Sequence, residues 1–304
     1  MNKTKSWLHA LRLRTLPLSV AGILMGSAVA LIMSKWNSLI FTFALITTVL
    51  FQILSNLAND LGDTIKGTDN EDRIGPSRAV QSGIITRKEM LTAIVLTSIL
   101  SLISAGVLIY FSLPGMTMNT LIIYIVLAIL SVAAAITYTI GKKAYGYHGL
   151  GDLMVLIFFG FVSVIGVFVL YTKSFENELI LPSLTVGLLS MAVLNLNNMR
   201  DFRNDAANNK NTLVVRMGAT RAKFYHALLI LLALLSLGVF IQHLDIKPLY
   251  LSLLPGILLI VHLRKVMQIA DPKDFDPELK KVALSTFFIA LIFLGTSIYL
   301  TWQH

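Results

Sequence analysis

Asn56-Leu-Ala-Asn59-Asp60-Leu-Gly-Asp63 and Asn197-Asn198-Met-Arg200-Asp201-Phe-Arg-Asn-Asp205 each close a long apolar run in this chain. Carboxylates and amides at the end of a hydrophobic helix are costly beside hydrocarbon and persist mainly where they bind something. On a helix turning about 100° per residue, Asn56, Asp60 and Asp63 share one stripe, and Asn198, Asp201 and Asp205 share another. Two such stripes facing one chamber would form an oxygen-rich cage for a hard divalent cation.

Around these clusters the chain is 56% hydrophobic and only 13% charged, against about 25% charged in a soluble domain. It reads as an all-α, polytopic membrane protein. Apolar segments at 16–34, 38–58, 89–111, 117–140, 150–171, 180–197, 222–242, 248–267 and 281–302 are each near the ~20 residues that span hydrocarbon as a helix. With nine spans the two termini lie on opposite sides. The N-terminal arm and loops 59–88, 141–149, 198–223 and 264–281 carry 22 of the 25 Lys and Arg, leaving only Lys35, Lys173 and Lys247 opposite. That asymmetry predicts a cytoplasmic N-terminus and an external C-terminus in the cell membrane, with the acidic clusters on the cytoplasmic side. It also explains the net charge of +9 without nucleic acid as a partner. No cysteine is present, which excludes disulfides, Cys-ligated zinc and thiol nucleophiles. Ser27-Ala28-Val29-Ala30 resembles a cleavage site, but eight more apolar spans follow, so the first run reads as a span.

The acidic cluster after span 2 recurs after span 6, and each leads into a basic stretch with glycine, Arg73-Ile-Gly75 and Arg216-Met-Gly218. The spacing suggests one domain made of two four-helix repeats, about 16–140 and 150–267, with an extra helix at 281–302, packed as a ring or bundle. Sites in repeat-built membrane proteins often lie at the repeat interface.

Arginines follow the first cluster closely, Arg73, Arg78 and Arg87, and Lys210 and Arg216 follow the second. Carboxylates for Mg²⁺ beside guanidinium forks are what a metal-bridged diphosphate requires. Glu71, Asp72 and Glu89 read as solvated loop charges instead. Tyr138 and Lys142 are four residues apart, so phenol and ammonium could meet on one face, and Asp152 opens span 5. Tyr145 and Tyr147 read as interfacial aromatics. Arg12 and Arg14 on the N-terminal arm read first as lipid-phosphate contacts. The six histidines have no ligand-like spacing.

These motifs resemble the UbiA superfamily of membrane-embedded aromatic prenyltransferases, and within it the branch that prenylates 1,4-dihydroxy-2-naphthoate in menaquinone biosynthesis. The resemblance runs from Arg14-Thr-Leu-Pro17 to Gly218. It rests on Asn56-x-x-Asn59-Asp60-x-x-Asp63-x-x-x-Gly67-x-Asp69, Gly75-Pro-x-Arg78-Ala-Val-Gln-Ser-Gly83, Gly149-Leu-Gly-Asp152, Tyr138-x-x-x-Lys142, and Asn197-Asn198-x-Arg200-Asp201-x-x-x-Asp205 leading to Lys210-x-Thr-Leu-x-Val-Arg216-x-Gly218. Two departures stand out. Gly67 replaces an acid common in the superfamily, delaying it to Asp69 as in the dihydroxynaphthoate branch, and Lys142-Lys143-Ala replaces a Gly-Pro-rich segment.

The resemblance implies that a polyprenyl diphosphate binds with its head among the acids and its tail among the helices. Asp60, Asp63, Asp201 and Asp205, helped by Asn56 and Asn198, would hold Mg²⁺ against the diphosphate. Arg78, Lys142, Lys210 and Arg216 would neutralise the leaving group, Tyr138 and Asn59 would bind substrate, Arg14 or Lys142 would orient the acceptor carboxylate, and Asp69 would have a neighbouring structural or proton-handling role. Related enzymes acting on 4-hydroxybenzoate or another acceptor are the nearest alternative. A cation-coupled transporter fits less well, because the acids gather at one face beside arginines. The Asp-Gly-x-x-Ala-Arg signature of head-group transferases is missing.

Overall fold

A computed structural model describes residues 2–68, 74 and 78–303, apart from the side chain of Arg14. Among these residues there are helices and turns but no strands, and nine helical spans are long and apolar enough to cross a bilayer. The chain is a multi-pass membrane protein. A short helix α1 (Lys3–Leu11) is started by Asn2, whose side chain accepts from the Lys5 amide, and stopped by Arg12 in the left-handed conformation at φ 48°. A tight turn over Leu13–Thr15 leads into α2 (Leu16–Ile32), with Pro17 in its first turn, where no amide hydrogen is needed.

Next come α3 (Ser38–Ile65), capped by Asn37, α4 (Arg87–Ser112), opened by a reciprocal Thr86/Glu89 capping box, and α5 (Met118–Thr137), capped by Thr117. The fifth span is composite: α6 (Gly151–Val155), a π-helical stretch Leu156–Gly166, and α7 (Val167–Thr172). It is followed by α8 (Ile180–Ala207), the short α9 (Leu213–Met217), α10 (Ala219–Leu244), α11 (Leu254–Gln268) and α12 (Phe275–Trp302).

Two of these helices outrun their sequence-based ends in a way that matters. The apolar runs stop near 58 and 197, yet α3 continues to Ile65 and α8 to Ala207. Leu57, Ala58 and Leu61 in the one, and Leu196 and Met199 in the other, remain buried and keep each helix packed through its polar turns. The acid clusters therefore lie on the last turns of rigid helices, not in loops beyond them.

The main core joins α2, α7, α8, α10 and α12 with the π stretch, and a smaller one gathers α1, α3 and α4. α2 runs against α12 on one side and the π stretch on the other. The second contact is close enough that a Cβ on Gly26 would sit 2.3 Å from the Val164 carbonyl oxygen. α5 is peripheral, packing on α3 and α4 with no residue fully buried.

Candidate active site

The two acidic clusters meet. Asp63, on the last turn of α3, and Asp205, on the last turn of α8, are bridged by the ammonium of Lys210, whose Nζ lies 4.0 Å from Asp63 Oδ1 and 3.5 Å from Asp205 Oδ1. Lys210 reaches back because the chain turns sharply after α8, its own amide donating to the Asp205 carbonyl at 2.9 Å. Burial alone would lower this lysine's pKa. The Asp63 and Asp205 carboxylates outweigh that and hold it above the ordinary value, so the side chain stays cationic.

Asp63 also accepts from the Tyr147 hydroxyl at 2.8 Å and from Arg78 Nη2 at 3.3 Å. Burial first, then the facing Asp63 charge, raises the pKa of the Tyr147 phenol, which remains a donor. The same hydroxyl meets Thr68, and Asn204 Nδ2 donates to the Thr68 carbonyl at 2.7 Å, tying the end of α8 to the end of α3. Asp205 Oδ2 is buried without a hydrogen-bond partner among the described groups. An orphaned carboxylate oxygen is rare in a protein interior and marks a place for a donor or cation.

The remaining members of the two stripes separate. Asp60 is turned away from the chamber: its oxygens accept from the Ala79 and Val80 amides at 3.0 and 3.1 Å, which fastens the segment carrying Arg78 onto α3. Asn56 lines the chamber but donates to the Leu11 carbonyl at 3.0 Å and to Thr15 Oγ1 at 3.2 Å, pinning the bend between α1 and α2. Asn59 also lines it, and its Oδ1 accepts from Thr139 at 3.3 Å. Asn198, Asp201 and Asp205 all face it. Asp201 is held by Arg200, with Nε 2.9 Å from Oδ1 and Nη2 2.7 Å from Oδ2. Arg200 is 1% exposed, so the pair is buried.

Beyond the polar end the chamber becomes apolar. Its volume is about 540 Å³, and on α3 its wall runs from Asp63 to Ala44, about 28 Å of helix axis at 1.5 Å per residue. Leu108, Ile109, Tyr124 and Leu170 close the far end. The fifth span contributes two rows, Gly151, Val155, Phe159, Ser163 and Val167, and Met154, Phe158, Val162, Gly166 and Leu170. A spacing of four turns an ordinary α-helix by about 40° per step, which would carry such rows off the chamber. The looser winding of the π stretch cancels that drift and keeps ten residues on one wall.

Tyr138 lines the chamber, whereas Lys142 is exposed and is not part of its wall. A left-handed turn at Gly141, φ 103°, separates the pair, so the expected meeting on one face does not form. Arg216 is likewise outside, donating to the His148 carbonyl at 2.7 Å, and Asp152 accepts from the Tyr225 hydroxyl at 3.1 Å as a tie between the fifth span and α10. Asp69 lies outside the described residues, as does the Arg14 side chain. In their place Arg12 and Lys280 line the chamber. Thr68, Tyr147 and Asn204 were absent from the expected site, although Asn204 sits inside the acidic motif beside Asp205 and could have been inferred from it.

For a divalent cation the donors fit: Asp63 and Asp205 offer hard oxygens from both helix tips, one of them orphaned, on either side of the Lys210 ammonium. They do not form a ready-made cage. Among the described residues no three acidic or histidine side chains converge on one point, and Asp63, Asp201 and Asp205 are instead paired with Arg78, Arg200 and Lys210.

Comparison with known proteins places the chain in a family. Residues 19–292 match the UbiA prenyltransferase family. The chain is 43% identical over 296 residues to 1,4-dihydroxy-2-naphthoate octaprenyltransferase of Escherichia coli (strain K12), covering 97% of this chain and 95% of the relative. It is 40% identical to the protein of that name in Haemophilus influenzae, covering 96% and 95%. Among solved structures, the apo structure of a UbiA homolog from Aeropyrum pernix K1 superposes with a TM-score of 0.67 at 16% identity, covering 97% of this chain and 98% of that one, a likeness of fold.

Proposed function

Because the chain belongs to the UbiA prenyltransferase family, we propose that it transfers a polyprenyl group from a polyprenyl diphosphate to C2 of 1,4-dihydroxy-2-naphthoate with loss of CO₂. The product is the quinol form of the demethylmenaquinone precursor of menaquinone. The observation that carries this reading is the union of two acidic helix tips around Lys210 at the mouth of a long apolar chamber. A diphosphate with a hydrocarbon tail has that shape and that distribution of charge. The names of the two bacterial relatives support the acceptor.

Asp63, Asp201 and Asp205, with Asn198, are the residues we assign to Mg²⁺, while Asp60 holds the Arg78 segment against them. Bound Mg²⁺ would stabilise the negative charge that grows on the departing diphosphate. Lys210 and Arg78 neutralise the same charge from fixed positions, which costs no reorganisation as the C–O bond breaks. The allylic cation left behind lies among Phe158, Phe159 and other apolar side chains that exclude water. Carbon C2 of the ring attacks it, and the bond to the carboxylate breaks, its electron pair restoring the aromatic ring. Arg12 and Lys280, which line the chamber, are the cations we assign to the acceptor's carboxylate. We place the acid end at the cytoplasmic face of the cell membrane on the strength of the Lys and Arg distribution, and read the chain as two four-helix repeats plus α12.

Purified protein incubated with 1,4-dihydroxy-2-naphthoate, farnesyl diphosphate and Mg²⁺ is expected to yield a prenylated product lacking the mass of CO₂. Product from 4-hydroxybenzoate in a parallel reaction, with none from the naphthoate, would refute the acceptor.

A further inference from the structure

The one buried arginine in the second motif does more than pair with its neighbour. Arg200 presents a full fork: Nε and Nη2 hold Asp201, Nη2 also reaches Asn197 Oδ1 at 2.8 Å, and Nη1 donates to Asp276 Oδ1 at 2.5 Å. Asp276 comes from the first turn of α12, the helix outside both acidic motifs. Two residues on, Glu278 is wholly buried and anchored by three groups: His262 Nδ1 at 2.6 Å, Lys281 Nζ at 2.8 Å and Lys265 Nζ at 3.0 Å. His262 in turn shares a 2.8 Å hydrogen bond with the buried His226. This cluster fastens α10, α11 and α12 together and fixes the turn that carries Asp276.

Resting on the metal-diphosphate reading above, we propose that Asp276, acting through Arg200, sets how tightly Asp201 can hold a divalent cation. For Asp201 to turn its charge toward a metal, Arg200 must loosen its hold on that carboxylate. A guanidinium 1% exposed cannot lose its only counterion without a large penalty. Asp276 removes that penalty, because it remains paired with Arg200 whichever way Asp201 is engaged. Asp276 is therefore a positioning residue: a carboxylate on the last helix keeps the second acidic motif available to a cation. Its side chain is 40% exposed, so its removal disturbs little packing.

The test is Asp276→Asn in the full-length, detergent-purified protein, with Mn²⁺ binding read by electron paramagnetic resonance in the presence of inorganic pyrophosphate. Mn²⁺ affinity is expected to fall about tenfold, the lower end of what loss of an outer partner costs a metal site, with the thermal midpoint little changed. Asp276→Glu keeps the charge and is expected to bind close to the native level. It also covers the case in which the Asn variant fails to fold: Mn²⁺ bound about tenfold more weakly by the Glu variant than by the native protein would overturn the inference. Unchanged affinity in Asp276→Asn would overturn it while leaving the proposed reaction intact. If the native protein itself binds no Mn²⁺ saturably, the metal reading falls, and this inference with it.

Discussion

Replacing Lys210 by Met tests the centre of the site. Its Nζ lies 3.5 Å from Asp205 and 4.0 Å from Asp63, both carboxylates nearly buried. At an effective dielectric constant near 20, each contact represents a gross attraction of about 4–5 kcal/mol. Desolvation offsets much of that, but removing one partner of a buried set leaves the others uncompensated, which costs about 3–5 kcal/mol. The variant should therefore unfold more readily by that amount in the absence of metal. Mg²⁺ and pyrophosphate should return part of the loss, about 2.7 kcal/mol at 100 times the dissociation constant, because they occupy the carboxylates that Lys210 vacates. Turnover with saturating substrates should drop about 10²–10³-fold, the cost of removing one preorganised donor to developing charge. The pH dependence follows from the sign of the shift. The native lysine's pKa is raised above its unfolded value near 10.4, so its contribution is complete below that value and fades only as the pH climbs through the still higher folded one. The lysine's own titration should therefore leave the gap between native and variant constant up to about pH 9. Denaturation with and without Mg²⁺, and prenyl transfer followed by mass spectrometry, measure these quantities. A variant with native stability and native turnover would refute the bridging arrangement itself.

Other perturbations probe what surrounds that centre. Asn204→Ala removes the 2.7 Å bond to the Thr68 carbonyl that joins the two helix ends; it should lower stability by about 1–3 kcal/mol and weaken pyrophosphate binding, and an unchanged pyrophosphate titration would show the two tips to be held by other means. Asp60→Asn leaves one of the Ala79 and Val80 amides without its charged acceptor; a loss of about 1.5–3 kcal/mol is expected, with faster proteolysis near Arg78, whereas native protease resistance would return Asp60 to the chamber. Gly62→Ala would place a Cβ 2.4 Å from Thr139 Oγ1 and 2.8 Å from the Thr139 carbonyl carbon; overpacking there should cost about 1–3 kcal/mol and reduce transfer by displacing Tyr138, and an alanine variant of full activity would mean the segment moves freely.

The spans were legible because hydrocarbon imposes one length and one polarity on every helix that crosses it, and the structure returns nine of them among its described residues. Helix ends were less so. Polar residues on α3 and α8 look like exits from the membrane, yet Leu57, Leu61, Leu196 and Met199 carry each helix onward in packed protein. A stripe on a helical wheel says which side chains share a face but not which neighbour they meet. Asn56, Asp60 and Asp63 share a face, yet Asn56 meets a bend between helices, Asp60 a pair of amides, and only Asp63 the opposing acid cluster. The π stretch has no signature in composition, since Leu156–Gly166 is apolar throughout.

The buried polar chain from His226 to Glu278 escaped for a related reason. His226, His262 and Glu278 come from three helices with unrelated spacing, so no local pattern joins them. Each alone looks like an isolated polar residue near a helix end. Their combined effect is to hold the start of α12 against α10 and α11, and Arg200 on α8, which grips both Asp276 and Asp201, converts that hold into an electrostatic setting for Asp201. The last helix is therefore not a mere addition to the paired motifs. Losing its first turn would leave Arg200 with Asp201 as its only carboxylate partner among the contacts described here. The second motif would then hold its own arginine where it must instead accept a cation.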